Sequence, residues 1–282
     1  MKITHTLFAF LIGLNFTVFS QTQIEFSNEF KPESEYHVTS TTVNEMAISF
    51  KAPEAFLNHL KSTGQEIDQV TKEKTTIKTI TYTGTEKDGV IPIEVKYLET
   101  GKQQDGVVRV GESLKGTYTK DKVSITELPD VSRIEEIEIA SEDFMNFMSD
   151  AFSLYLFDKG KLSVGESVTI ITPLNVPIGP YQFTIDLEST YTLLKTKSKK
   201  AEFTIVSKVE MSSDFPEVKF EAIGDGSGKC SYDFKNKRII SRTTELAMAM
   251  TAKFSEDVEM TIIQKATTTT TTTTRETNNS YF

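Results

Sequence analysis

The sequence predicts a mainly β protein, a large antiparallel sheet or sheets in two similar halves joined by one amphipathic helix. Apolar and charged residues alternate, as in Ile93-Glu94-Val95-Lys96-Tyr97, which is typical of half-buried antiparallel strands. Two segments in the first half of the chain each resemble a segment in the second half, and the order is the same in both halves. A segment between the two halves has helical periodicity. With 38% apolar and 25% charged residues, the 282-residue chain has the composition of a folded globular protein.

Residues 1–20 have the pattern of a signal peptide. Lys2 supplies the positive start, an apolar run covers residues 7–19, and Val18 and Ser20 occupy the small-residue positions of a cleavage site before Gln21. A membrane anchor is the alternative, but the run is shorter than the roughly 20 residues that span a bilayer. We therefore expect an exported protein, periplasmic or extracellular, with no transmembrane anchor after cleavage.

The two predicted halves, residues 21–133 and 161–266, carry the repeated segments. Residues 81–99 are echoed by residues 190–210, and residues 111–128 by residues 224–246. Asp88-Gly89 is a strong hairpin signal in the first echo, whereas the turn at residues 197–200 has no glycine. The sequence Val-Gly-Glu-Ser occurs at 110–113 and again at 164–167, but the two copies stand at different points of the proposed repeat. Common strand-entry turns therefore explain part of the similarity, and duplication stays a hypothesis.

A connector region, residues 134–160, is predicted to hold the amphipathic helix. Ser141 is the expected N-cap, apolar residues follow at helical spacing, and Gly160 is the expected stop. A shorter helix is predicted over residues 53–61, with Gly64 beyond it.

The last segment, residues 267–282, is a threonine-rich tail that begins with eight consecutive threonines. Threonine favours strands, but a homopolymer fixes register poorly. We expect part of the tract to finish the strand that begins at residues 258–263, and the remainder to fray.

Catalytic groups and metal ligands are sparse, so no catalytic residue, metal or cofactor is predicted. After the leader the chain holds His37, His59 and Cys230, without metal-ligand spacing. His37 is expected at an edge-like strand position and His59 on a helix surface. The single cysteine is expected to be a small buried apolar residue, with a reactive thiol as the alternative.

Three further patterns do not point to enzymatic chemistry. The glycine-rich segment 224–230 superficially resembles a phosphate-binding loop, but Cys230 replaces the required hydroxyl, and glycines that let strands bend or bulge explain it better. The acidic run Glu135, Glu136, Glu138, Glu142 and Asp143 is typical of solvated charge before a helix. A net charge of −9 argues against nucleic-acid binding.

Phenylalanines on the connector helix allow one positive hypothesis. A large sheet covered by a helix can enclose an apolar groove, and its candidate residues are Phe144, Phe147, Met148 and Phe152. The alternative is that the helix phenylalanines seal the core, which is the more common role.

The order of elements resembles an uncharacterised family of exported Bacteroidota proteins that is known as a domain of unknown function. The resemblance rests on Phe30-Lys31-Pro32 before the first strand, residues 162–167 after the connector helix, and residues 224–230 leading into Tyr232-Asp233-Phe234. It covers nearly the whole mature chain and implies neither a reaction nor catalytic residues.

These observations predict an exported, non-enzymatic, β-rich envelope protein that binds a ligand or an envelope partner through its sheet. The alternative is a carrier of lipid or another apolar ligand in a groove between sheet and helix. A hydrolase is the third hypothesis.

Overall fold

The computed structural model describes residues 23–64, 67–101, 108–120, 122–130, 139–178, 181–213 and 219–276. The predicted leader and the acidic residues Glu135, Glu136 and Glu138 lie outside these ranges. In the described part the chain is mainly β, as predicted, with one large antiparallel sheet, one two-stranded sheet and two short helices.

In chain order the described elements are β1 (Ile24–Asn28), β2 (Ser34–Lys51), α1 (Glu54–Ser62), β3 (Gln69–Thr83), β4 (Ile91–Thr100), β5 (Ser113–Thr119), β6 (Lys122–Glu127), α2 (Ser141–Ser153), β7 (Phe157–Leu162), β8 (Ser167–Ile178), β9 (Tyr181–Lys197), β10 (Lys200–Ser213), β11 (Lys219–Asp233), β12 (Arg238–Lys253) and β13 (Glu259–Glu276).

The large sheet consists of two meanders placed side by side. Over the described residues its eleven strands have the order β6-β5-β4-β3-β2-β13-β12-β11-β10-β9-β8. Strands β2 to β6 form one meander and strands β8 to β13 the other, and they join where β13 pairs antiparallel with β2. The two halves of the described chain are therefore parts of one sheet.

Helix α2 connects the two edges of this sheet. It packs against both β6 and β8, which are the edge strands. Eleven strands laid flat would span about 48 Å at 4.8 Å per spacing, whereas a helix is only about 10–12 Å across. The sheet must therefore curl until both edges reach the same helix. We call the side that carries α2, β1 and β7 the inner face.

Serine hydroxyls fasten α2 to the edge strand β6. The backbone N–H of Val123 donates to Ser153 Oγ at 2.8 Å, and that of Ile125 donates to Ser149 Oγ at 2.9 Å. On the other edge, Asn175 Nδ2 of β8 donates to Asp150 Oδ2 of α2 at 3.5 Å. The two serine bonds supply partners for backbone N–H groups of β6 that no other described strand takes up.

The repeated segments are hairpins, as their alternation predicts. Residues 81–99 span the β3–β4 hairpin, where Asp88 and Gly89 both have positive φ (54° and 78°), as a type I′ turn requires. Residues 190–210 span the β9–β10 hairpin, whose two-residue turn has Ser198 at φ 57°. The second pair of echoes corresponds to the hairpins β5–β6 and β11–β12.

The two Val-Gly-Glu-Ser sequences form the same strand-entry turn. Gly111 and Gly165 have φ of 91° and 90°, and the carboxylates of Glu112 and Glu166 each accept the N–H of the third residue before them at 2.7 Å. The first turn bonds to the preceding strand β4, the second to the following strand β9. Local turn chemistry therefore explains this match.

The core lies at one end of the inner face, where β1 and β7 pair with each other and cover the sheet. Phe26 of β1 is fully buried, with ring centroids 4.3 Å from Phe203, 4.6 Å from Phe157 and 5.1 Å from Tyr232. A second buried cluster gathers Tyr36 and residues of β4, β5 and β6, and α2 packs on it. We call this end of the curled sheet the aromatic end.

Several local expectations are wrong. Helix α2 begins one residue earlier than predicted, with Ala140 rather than Ser141 as its N-cap, and it ends well before Gly160, which lies in β7 with φ 71°. His37 lies in β2, in the middle of the sheet, not at an edge. The segment Phe30-Lys31-Pro32 follows β1 instead of preceding the first strand.

The threonine tract does not fray within the described residues. Strand β13 runs through all of Thr267–Thr274 to Glu276 and pairs with β2 along its whole length. The short helix is confirmed as α1, which starts after Pro53. Among the described residues no helix has the length and apolarity needed to cross a membrane.

Candidate functional site: an apolar chamber inside the curled sheet

The middle of the inner face is not filled by side chains. Strand β13 occupies the centre of the sheet, yet over its whole length no residue is buried, and its inward side chains are half-buried. The same is true of β12 between Thr243 and Thr251. Because one face of a central strand is buried wherever a core packs on it, the interior is open here.

An apolar cavity of about 430 Å3 lies at the end of the sheet opposite the aromatic end. We call it the methionine chamber. Its lining side chains come from β8 to β13 and are Val176, Phe183, Ile185, Met211, Phe220, Met248, Met250, Ala252, Met260, Ile262 and Gln264. The rings of Phe183 and Phe220 meet edge to face with centroids 5.4 Å apart.

Register and alternation bring these residues together. Met248 and Met250 alternate with the exposed Ala247 and Ala249 along β12, so both methionines point inward. Met250 is paired with Ala222 of β11 and Ile262 of β13, and Met248 with Gln264. Three consecutive strands, β11 to β13, thus contribute to one apolar surface.

The chamber is suited to an apolar ligand. Among the described residues that line it none is ionisable, and Gln264 is the only one with a polar side chain; its Nε2 donates to Asn44 Oδ1 at 2.9 Å. Methionine side chains are flexible and polarisable, so they adapt to ligands of differing shape. The volume lies within the range of about 300–1,000 Å3 that is usual for small-molecule sites.

A belt of small polar side chains separates the methionine chamber from the aromatic end. Hydroxyl groups hydrogen-bond across the strands at 3.1 Å between Ser40 and Thr270, 3.0 Å between Thr42 and Thr268, and 3.1 Å between Ser189 and Ser207. Beside them Gly224, Gly226 and Gly228 of β11 face inward, opposite Val209, Ser207 and Ile205. Small side chains keep this part of the interior open.

The glycines of β11 also let this strand approach β12 closely. A Cβ atom on Gly228 would lie 2.4 Å from the carbonyl oxygen of Thr243. The β11–β12 register is continuous through the glycines, and its irregularity lies later, at Ser231 and Tyr232. The segment 224–230 is therefore a structural element of the curled sheet, without a bulge at the glycines.

The predicted groove residues on α2 lie away from the methionine chamber. Phe144 is buried, with its ring centroid 6.2 Å from that of Phe147, while Met148 and Phe152 pack against the cluster on β4, β5 and β6. Phe152 also lines a separate cavity of about 160 Å3 at the aromatic end.

The other residues singled out in the sequence are dispersed. Cys230 is buried as predicted, and burial raises the pKa of its thiol to about 12. His59 is exposed on α1, and His37 Nε2 lies 3.2 Å from Glu35 Oε2. The structure brings neither histidine next to the methionine chamber.

Sequence reasoning missed the methionine chamber because it concentrated on the helix. The available signal was the period-two pattern Leu246-Ala247-Met248-Ala249-Met250, together with Met211 and Met260 near the ends of other predicted strands. Only the pairing register shows that these positions meet.

Comparisons with known proteins do not identify the chain. No protein-family model and no curated protein matches it. Similar solved structures include Ail, the attachment invasion locus protein of Yersinia pestis, at 7% identity over 83% of this chain and 97% of that chain, with a TM-score of 0.15. They also include Pseudomonas aeruginosa OccK11, at 6% identity over 88% and 98% with a TM-score of 0.24, and OpdK with vanillate, at 6% identity over 85% and 99% with a TM-score of 0.20. Likenesses with TM-scores this low carry no argument about this chain.

Proposed function

We propose that this is an exported, non-enzymatic binding protein that holds an apolar chain in the methionine chamber. The observation that carries the proposal is an unfilled, uncharged cavity of about 430 Å3 in a sheet whose centre is not packed. Among the three hypotheses drawn from the sequence, this geometry favours the carrier of an apolar ligand over binding through the sheet surface. Export rests on the leader pattern of residues 1–20.

The ligand class follows from the lining. Without an ionisable lining group, the chamber offers no counter-charge to a charged head, so the part of the ligand that it holds is hydrocarbon-like. Each buried methylene contributes about 0.8 kcal/mol, which corresponds to about fourfold in affinity. Affinity should therefore rise steeply with chain length until the chamber is full.

Displacement of a fluorescent apolar probe by primary alcohols from hexanol to tetradecanol tests this directly. The chain has no tryptophan, so intrinsic fluorescence interferes little. We expect affinity to rise by about fourfold per methylene and then level off. Organic extraction of the purified protein followed by mass spectrometry should release a co-purified lipid. Failure of every alcohol to displace the probe, together with an empty extract, would contradict the proposal.

A matched pair of variants places the binding in the methionine chamber. Met250→Glu puts a carboxylate into it, whereas Ala249→Glu puts the same group on the exposed outer face one residue away. We expect Met250→Glu to abolish alcohol binding and Ala249→Glu to leave it unchanged, with circular dichroism showing that both fold. Equal binding by both variants would place the ligand elsewhere.

A further inference from the structure

We propose that Arg238 and Arg242 form an oxyanion site at the aromatic end of the inner face, which takes a phosphate group either free or as a lipid headgroup. We call the cavity that both arginines line the arginine pocket; its volume is about 160 Å3. The inference uses residues outside the methionine chamber and does not depend on the proposed function.

Arg238 is buried between two aromatic rings. It is 7% exposed, and its guanidinium carbon lies 4.7 Å from the centroid of Phe30 and 4.6 Å from that of Tyr36. Within the described ranges its Nη1 donates a hydrogen bond to the carbonyl oxygen of Glu29 at 3.3 Å. A carbonyl offers only a dipole to the positive charge.

Arg242 is buried to a similar extent and is less well satisfied. It is 8% exposed, with its guanidinium carbon 4.2 Å from the centroid of the Tyr155 ring. Two of its nitrogens, Nε and Nη1, are buried without a hydrogen-bond partner among the described residues. Buried donors in native proteins are normally paired, so these two require an explanation.

Neither arginine has a counter-charge in the part of the chain that the structure describes. No carboxylate there forms an ion pair with either one, and the groups that act on them electrostatically are tyrosines and Cys230. The aromatic faces of Phe30, Tyr36 and Tyr155 offset part of the cost of burying two cations. A buried charge without an anionic partner is nevertheless unfavourable, and an anion in the arginine pocket would remove this cost.

The rest of the arginine pocket supplies donors of the right kind. Threonine hydroxyls line it from β3 and β13, among them Thr79, Thr81 and Thr272. Hydroxyl and guanidinium groups together are the usual partners of phosphate oxygens in proteins. Since the whole chain carries a net charge of −9, retention of an anion requires local groups of this kind.

The geometry also allows the phosphate to belong to an amphiphile. Arg242 and Met248 both face inward from β12, six residues or about 20 Å apart. The interior between them is lined by the small polar side chains of the belt. A phosphate headgroup in the arginine pocket could therefore send its chain towards the methionine chamber.

The test uses the mature full-length protein and measures thermal unfolding and calorimetric binding with inorganic phosphate, dodecyl phosphate and dodecanol, against chloride of equal ionic strength. We expect phosphate to raise the unfolding temperature above that in chloride, because a ligand that binds only the folded state stabilises it. Stabilisation by both phosphates identifies a free-anion site that also accepts a headgroup; stabilisation by dodecyl phosphate alone identifies a headgroup site. Binding of dodecanol alone, without a response to either phosphate, would overturn this proposal and leave the chamber proposal standing.

Arg242→Met tests the residue, with Arg275→Met on the exposed part of β13 as the matched control. We expect phosphate affinity to fall about 10- to 100-fold in Arg242→Met, the loss of a charged hydrogen bond, and to stay unchanged in Arg275→Met. Arg242→Lys should recover part of the binding because it restores the charge. Because an uncompensated charge is removed, Arg242→Met without anion should unfold at a temperature no lower than the wild type. A large loss of stability with undiminished phosphate response would show that the arginine is purely structural.

Discussion

Replacing Ser149 and Ser153 by alanine should weaken the attachment of α2 to the edge of the sheet. Each hydroxyl accepts the N–H of a β6 residue, Ile125 and Val123 respectively, and no other strand lies on that side of β6 among the described residues. Both hydroxyls also donate to carbonyl oxygens one turn earlier in α2, at 2.6 and 2.7 Å. An alanine removes the acceptor and leaves the edge N–H unpaired.

The magnitude depends on whether water can replace the hydroxyl. Ser149 is 8% exposed, so Ser149→Ala leaves the buried N–H of Ile125 unsatisfied, at a cost of about 1–3 kcal/mol. Alanine recovers up to about 0.5 kcal/mol through its higher helix propensity. Ser153 is half-buried, and water can reach the N–H of Val123, so we expect Ser153→Ala to cost about 1 kcal/mol or less.

Urea unfolding followed by circular dichroism measures these free energies. The control is Asn146→Ala, at an exposed position of the same helix, which should change stability by less than about 0.5 kcal/mol. The reasoning requires Ser149→Ala to cost more than Ser153→Ala, because only the first leaves a buried N–H group without a partner. It is refuted if Ser149→Ala costs no more than Asn146→Ala.

Three further predictions concern the sheet and its core. Phe26→Ala should destabilise by about 3–5 kcal/mol in urea unfolding, because the ring is fully buried among aromatic rings; a loss below about 1.5 kcal/mol would mean that β1 does not hold the aromatic end together. Gly228→Ala should cost more than Gly224→Ala in the same assay, since the added Cβ would lie 2.4 Å rather than 2.9 Å from a β12 carbonyl oxygen; equal costs would argue against close approach of the strands. Burial raises the pKa of Cys230 from 9.0 to about 12 and that of Tyr191 from 10.0 to about 12. Between the ordinary pKa and the raised pKa, each group has lost its proton in the unfolded chain but keeps it in the folded chain. The free energy of unfolding should therefore fall as pH rises from about 9 towards 12, by about 1.4 kcal/mol per pH unit for each group that is ionised in the unfolded chain. Denaturant unfolding from pH 8 to pH 11 checks this, with a shallower slope expected for Cys230→Ala; stability that is independent of pH up to 11 would disagree.

Local features could be predicted from the sequence because they depend on neighbouring residues. Asp88-Gly89 defines a hairpin through the positive φ of both residues, and the alternation in residues 93–97 defines a strand with one inward face. The short helix after Pro53 and the burial of Cys230 follow from equally local patterns.

The curling of the sheet and the methionine chamber could not be predicted in this way. The pairing of β13 with β2 joins residues more than 200 positions apart, and a homopolymer of threonine carries no alternation that would indicate its partner. Met211, Met248 and Met260 meet only because of the register of β10 to β13. The arginines were overlooked because an arginine in a strand usually faces solvent, and only the packing of Tyr155 and Phe30 shows that these two do not.

The central position of β13 has a consequence for the order in which the protein folds. The final described strand is the one that joins the two meanders, through contacts such as Ser40 with Thr270 at a sequence separation of 230 residues. Until it arrives, β2 and β12 both present unpaired edges, and the sheet cannot curl around α2. The entropy cost of closing so long a loop arises before the native contacts form, and this makes folding slow. The nascent chain therefore cannot reach its native topology before synthesis of the threonine tract.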